Sequence, residues 1–265
     1  MASRKMSPSI KFLFISFLLV LPLTIHAAES SQGASPNQAK SIIDSMIQKM
    51  RGHRNISEYQ MTISRPKWTR TIKMKIWDDR MQKRVFVRIL EPAKEQGTSF
   101  LRLGYNLWNY IPAVEKVMKI PPSMMLQPWM GSDFTNDDLV KESSYSDDYE
   151  HRLEDTQELR SKGLRSIYLT PKPEAPVVWG QVIFWVRASD DLPVEQHFLD
   201  EKGRLIKDLI FSDYKTKDGV LLPTHWEMKP VTKEGQKTVM NLLSVDFDPV
   251  PPISEETFTE KNLRP

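Results

Sequence analysis

From Ser57 onward the apolar residues of this chain fall at every second position. Tyr59, Met61 and Ile63 alternate with polar neighbours, and so do Ile72, Met74 and Ile76. Val85, Val87 and Ile89 keep the phase, although Phe86 breaks the polar side. A period of two describes a strand with one apolar and one polar face, and it excludes a helical reading of these segments. Short strands follow at 100–104, 105–112 and 115–120, with Gly104, Pro112 and Ala113 between them. Later strand candidates are 149–159, 164–170, 178–188, 193–200, 204–213, 220–229 and 237–247. "DEKGR" (200–204) and "TKDGV" (216–220) read as hairpin turns, with Gly supplying a positive φ.

Before Ser57 the period is helical. Ile42, Ile43, Met46, Ile47 and Met50 recur at three- and four-residue spacing, and Gly52 stands where a helix stop belongs. At the other end, "SEETFTEKNL" predicts a short helix capped by Ser254, with Glu255 and Glu256 in its first turn. Its capping box is incomplete, because Thr257 stands at the closing position. The expectation is therefore one amphipathic helix, roughly ten antiparallel strands and a short helical end: mainly β with helices. "TPKPEAP" (170–176) reads as a loop, and no repeat or domain boundary interrupts the pattern.

The N-terminus has its own logic. Arg4, Lys5 and Lys11 precede the uncharged run "FLFISFLLVLPLTI" (12–25), and "HAAES" follows. This is the three-part pattern of a secretory signal peptide. The run is shorter than the ~20 residues of a spanning helix, and Pro22 interrupts it. We expect residues 1–27 to be removed by a cut after Ala27, with Ala28 the alternative and an uncleaved anchor the competing reading. Residues 28–38 are then a flexible lead-in and 39–265 one domain. The 37 Lys and Arg of the whole chain against 34 Asp and Glu become 34 against 34 once the signal is gone. That balance leaves no basic footprint for nucleic acid. The chain has no Cys, so neither a disulfide scaffold nor an N-terminal lipid anchor through Cys is available to it.

The search for chemistry is short. There is no G-x-S-x-G, no P-loop, no G-x-G-x-x-G and no H-E-x-x-H. S-x-x-K occurs as "SRPK" and "SDYK" without its partner motifs. His53, His151, His197 and His225 are too far apart in sequence for short metal-ligand spacing. Asp133, Asp137 and Asp138 lack the calcium-loop spacing, so Asp133 and Asn136 are expected to fold a turn through their side-chain oxygens. No enzyme, cofactor or metal is expected.

The apolar side says more. "VMKIPPSMMLQPWM" (117–130) sets Met124, Met125, Trp129 and Met130 among three prolines, and Phe134 follows. Prolines oppose both helix and inner strand, so a hydrophobic segment sits where a loop is expected. Either it plugs the sheet as core, or it is a lid over a groove for an acyl chain. In the second case Tyr59, Met61, Ile63, Ile72, Met74, Ile76, Val85, Val87 and Ile89 line the groove.

"RILEPAKEQGTSFLRLGYNLWNYIPAVEKVMKI" (88–120), "MGSDFTNDDL" (130–139), "LPVEQHFLDEKGRLIKDLIFSDY" (192–214) and "FTEKNL" (258–263) resemble the outer-membrane lipoprotein-sorting protein family, the LolA-like group. The resemblance covers nearly the whole mature chain. The G-S-D-F-T element with the upstream E-P-A-K and G-T is similar to the subgroup associated with RND-type (MMPL-like) exporters. Asn136 departs from it, since some relatives carry Tyr there, and the fine detail of that loop is not carried over. The resemblance implies a curved, incomplete antiparallel β-barrel with helices as its lid. It also implies a periplasmic carrier of lipid or lipoprotein acyl chains. The alternative it leaves open is a non-carrier accessory or sensor subunit docked on an RND/MMPL-type inner-membrane transporter.

Overall fold

The computed structural model describes residues 36–141 and 145–265. The expected signal peptide and most of the lead-in lie outside the described residues. Helix α1 (Pro36–Arg51) opens the fold and ends where predicted: Gly52 adopts φ +62° and its N–H closes back on Gln48 O at 2.8 Å. Ala39, Ile42, Ile43, Met46 and Ile47 are its buried stripe.

Thirteen strands follow in a single antiparallel sheet. The first six are β1 (Arg54–Arg65), β2 (Trp68–Asp79), β3 (Arg84–Glu91), β4 (Ser99–Leu103), β5 (Asn106–Ile111) and β6 (Lys116–Lys119). Each pairs with its predecessor, so the chain walks outward to one edge of the sheet. It then crosses to the opposite edge and returns through β7 (Tyr149–Glu154), β8 (Leu164–Pro171), β9 (Gln181–Arg187), β10 (Pro193–Leu199), β11 (Leu205–Lys217), β12 (Val220–Pro230) and β13 (Lys237–Phe247). Strand β13 pairs with β1 and joins the two halves. The order is β6-β5-β4-β3-β2-β1-β13-β12-β11-β10-β9-β8-β7, and the two edges do not pair, so the barrel is curved but unclosed.

That topology explains the hydrophobic loop. Every other pair of consecutive strands consists of hydrogen-bonded neighbours. The crossing from β6 to β7 alone must travel between the two edges of the sheet, and residues 120–139 do so over its inner face. A segment lying on an apolar face has to be apolar beneath. It carries short 3₁₀ turns at Pro122–Met124 and Trp129–Gly131 and the helix α2 (Asn136–Lys141).

The two faces hold different cores. The inner face packs against α1 and the crossing segment. The outer face of β3–β5 buries Phe86, Leu101 and Tyr110 beneath Ile253, Phe258 and Leu263 of the C-terminus. This accounts for Phe86 on the polar phase of its strand: a terminal segment far away in sequence covers it.

Three expectations are corrected. The strand predicted over 149–159 stops at Glu154, because Thr156 caps the helix α3 (Gln157–Ser161) by accepting from Leu159 N–H at 3.2 Å. The C-terminal helix is instead two 3₁₀ turns, Glu255–Phe258 and Glu260–Leu263, started by Ser254 and Thr259. The rough total of ten strands is low: the candidates placed one by one number thirteen, as do the observed strands. Both predicted hairpin turns are present, and Asp218 and Gly219 adopt φ +46° and +76° as a two-residue turn demands.

Candidate functional site

Between the inner face, α1 and the crossing segment lies a cavity of about 180 Å³. The register of the sheet sets out the inner face in rows. Asn55, Asp78, Val85, Arg102 and Leu107 oppose one another across β1–β5. The next row runs Ser57, Ile76, Val87, Phe100 and Asn109. Tyr59, Met74 and Ile89 come next, then Met61 and Ile72. The far wall comes from the returning strands, with Phe184, Leu209, Phe211, Trp226 and Met240.

The candidate groove residues separate into two sets. Tyr59, Met74, Ile76, Val85 and Val87 line the cavity. Met61, Ile63, Ile72 and Ile89 are fully buried and lie outside its lining, packed with the crossing segment. The loop residues separate too. Trp129 is 3% exposed and, with Phe134, faces the cavity; its ring meets Phe100 edge-on at 5.5 Å. Met125 and Met130 are partly buried against the same cluster, whereas Met124 is exposed.

The crossing segment is held by local bonds and by charge. Trp129 N–H donates to Phe134 O at 2.8 Å, and Asp137 N–H to Met125 O at 2.8 Å. Thr135 and Asp138 form a reciprocal cap for α2: the Asp138 carboxylate accepts from Thr135 N–H at 2.6 Å, and Thr135 Oγ1 accepts from Asp138 N–H at 3.2 Å. Two buried ion pairs then fasten the segment to the sheet. Lys207 Nζ of β11 donates to Asp138 at 2.5 Å, under the rings of Trp179 and Phe198. Arg65 of β1 donates to Asp133 at 3.0 Å, and Thr238 Oγ1 of β13 donates to the same carboxylate at 2.7 Å. Arg70 donates to Met130 O and Arg65 to Gly131 O at 2.9 Å.

This changes the reading of the acids. Asp133 does not fold the turn through its side chain; it is the anchor to β1 and β13. Ser132 Oγ makes the turn by accepting from Phe134 N–H at 3.2 Å, and Asn136 contributes as a donor to Met124 O at 3.0 Å. The acids and the greasy residues of this stretch serve one purpose: the acids fasten to the sheet what the aromatic residues cover.

Sequence reasoning missed the far wall and the polar end. Leu209 and Phe211 were legible in the alternation of β11, but nothing local said that they face β1–β3. Arg51, Asn55, Asp78 and Arg102 are 9% exposed or less and also line the cavity. Arg102 shares the inner phase of β4 with Phe100, so the available signal was a cation at an apolar phase.

Burial, reinforced by Asp137, Asp148 and Asp138, pushes the Tyr149 phenol well above its ordinary value, so it stays neutral. Burial also pushes His151 below its ordinary value. Among the described residues no group of three His, Asp or Glu side chains could hold a metal.

A curved, open antiparallel sheet whose apolar inner face is covered by a helix and a crossing segment is a LolA-like fold. The structural comparisons agree. A protein of the DUF1329 family from Desulfovibrio piger ATCC 29098 superposes with TM-score 0.77 at 23% identity, over 87% of this chain and 100% of its own. A domain from Vibrio parahaemolyticus named for outer-membrane lipoprotein sorting gives 0.73 at 20%, over 86% and 99%. A LolA superfamily protein from Nitrosomonas europaea gives 0.69 at 20%, over 84% and 98%. A family model described as "Uncharacterized protein" matches residues 81–265, well over half of the chain, and the chain belongs to that family. No curated protein matches it.

Proposed function

We propose that this protein is a periplasmic carrier that holds the acyl part of a lipid or lipoprotein in its inner cavity and passes it between membrane or transporter partners. The observation that carries the reading is the covered cavity itself, walled by Tyr59, Met74, Val87, Trp129 and Trp226. An acyl chain gains ~0.8 kcal/mol per buried CH₂, so a sixteen-carbon chain gains roughly 12 kcal/mol before ordering costs.

Size decides how loading works. A dry cavity of about 150 Å³ holds a benzene ring. The present 180 Å³ therefore admits a short part of a chain and not its whole length. In this reading loading requires the crossing segment to move outward. The segment is held by apolar packing and by the pairs at Asp133 and Asp138, so its opening has to break both.

The test is native against denaturing mass spectrometry of protein taken from the periplasm without detergent. A mass excess released on denaturation as phospholipid, fatty acid or acylated peptide supports the carrier. A bare mass, together with no uptake of an acyl probe, counts against it.

The second reading, an accessory or sensor subunit docked on an RND/MMPL-type transporter, draws on Met118, Met124 and Leu126. These are 43%, 46% and 56% exposed beside the edge strand β6. Trp129 is buried and does not serve as a contact there. Met124→Asp with Leu126→Asp breaks such a complex and leaves the lipid content intact.

A further inference from the structure

Trp129 carries a polar atom that the fold does not use. The residue is 3% exposed and lines the cavity, packed in one apolar cluster with Phe100, Met74, Val87 and Leu107. Its indole N–H is buried and has no hydrogen-bond partner among the described residues. The other indole of the cavity wall, Trp226, donates its N–H to Pro223 O at 3.0 Å. A second group marks the same place. Asn109 of β5 stands directly opposite Phe100 of β4 in the sheet register, is 8% exposed, and its Oδ1 is likewise buried without a partner.

A buried indole N–H usually finds an acceptor, because leaving a buried donor unpaired costs more than a made bond contributes. For packing alone, a Phe at position 129 would serve and would leave no orphan donor. Trp129 and Asn109 are both neutral and both adjoin one ring, so the chemistry that suits them is an uncharged polar group, and for the indole donor a carbonyl oxygen. We propose that Trp129 is the polar contact for the cargo: the carbonyl oxygen of an acyl ester accepts from its N–H beside Phe100, with the chain lying toward Met74 and Trp226. Trp129 belongs to the crossing segment, so the bond forms as the segment settles over the cargo. The proposal rests on the carrier reading and narrows its cargo to acyl esters, as against ethers and bare hydrocarbons.

The experiment compares lauroylglycerol with dodecylglycerol ether, which share a head and a chain length and differ in the ester carbonyl. Each is used to displace Nile red, a neutral apolar probe, from the purified protein. Each complex is also followed by nitrogen–proton NMR of the seven tryptophan indoles, the Trp129 signal being the one lost in Trp129→Phe. The ester is expected to displace the probe at a concentration about two- to tenfold lower than the ether, as one neutral hydrogen bond implies. Only the ester is expected to move the Trp129 indole proton downfield. Trp129→Phe, which keeps a ring and loses the N–H, brings the two affinities together. Equal affinities for ester and ether in the wild-type protein, or an indole proton that responds alike to both, overturn the subsite and leave the carrier intact. Failure of the probe and both lipids to bind overturns the carrier as well. The wild-type ratio decides the matter even where the variant fails to fold.

Discussion

At the scale of single residues, the ion pair between Lys207 and Asp138 is the sharpest feature. Both side chains are buried, at 4% and 9% exposure. Removing one partner leaves an uncompensated buried charge, which costs about 3–5 kcal/mol. Lys207→Met is therefore expected to lower the urea midpoint strongly, and adding Asp138→Leu to recover much of the loss. An additive double mutant would show that the pair does not act as a unit. Gly180 makes a second point. A Cβ there would lie 2.4 Å from the backbone O of Asp200, and no side-chain movement relieves a backbone clash. Gly180→Ala should cost about 1–3 kcal/mol by overpacking, read from thermal melts. Residue-level reading of the sequence did well where phase was the signal, as with Tyr59 and Met74. It failed at Arg102, because a charge on an apolar phase has no meaning until the opposite wall is known.

At the scale of elements, the C-terminal turns show how an outer face is held. Arg84 of β3 donates to Asp79 at 2.9 Å and to Glu255 at 2.7 Å, and stacks over Phe258 at 4.3 Å. Burial opposes ionisation of Asp79, but the Arg84 and Arg54 guanidiniums and the Gln82 N–H outweigh it, so its carboxyl lies below the ordinary value of 3.8. A carboxyl lowered by folding contributes stability above its unfolded value, and the contribution disappears as pH falls from there through the lowered one. Asp79→Asn should therefore be markedly less stable than wild type at pH 7, with the difference narrowing below pH ~4. Urea titrations at both pH values check this. Helix α1 and most strands were legible because periodicity is local. Helix α3 and the break of the C-terminal helix into two 3₁₀ turns were not. They are too short for a period to show, and their hydroxyl caps, Thr156 and Thr259, look in sequence like ordinary strand and loop residues.

At the scale of the molecule, one connection governs both fold and proposed function. The chain builds half a sheet outward, crosses its inner face, and builds the other half back to the middle. Alternation along strands revealed the sheet and its apolar face. It did not reveal that β6 and β7 are opposite edges, so the hydrophobic loop between them read equally well as plug or lid. The structure lays it across the inner face, fastened by Asp133 and Asp138, and the proposed carrier uses it as a cover. In the proposed carrier, cargo enters only when this cover lifts. The chain has no Cys, so a disulfide between Asp133→Cys and Thr238→Cys, positions already in hydrogen-bond contact, can be introduced without competing thiols. Uptake of an acyl probe should stop in the oxidised double variant and return on reduction. Equal uptake by the oxidised and reduced forms would contradict the account.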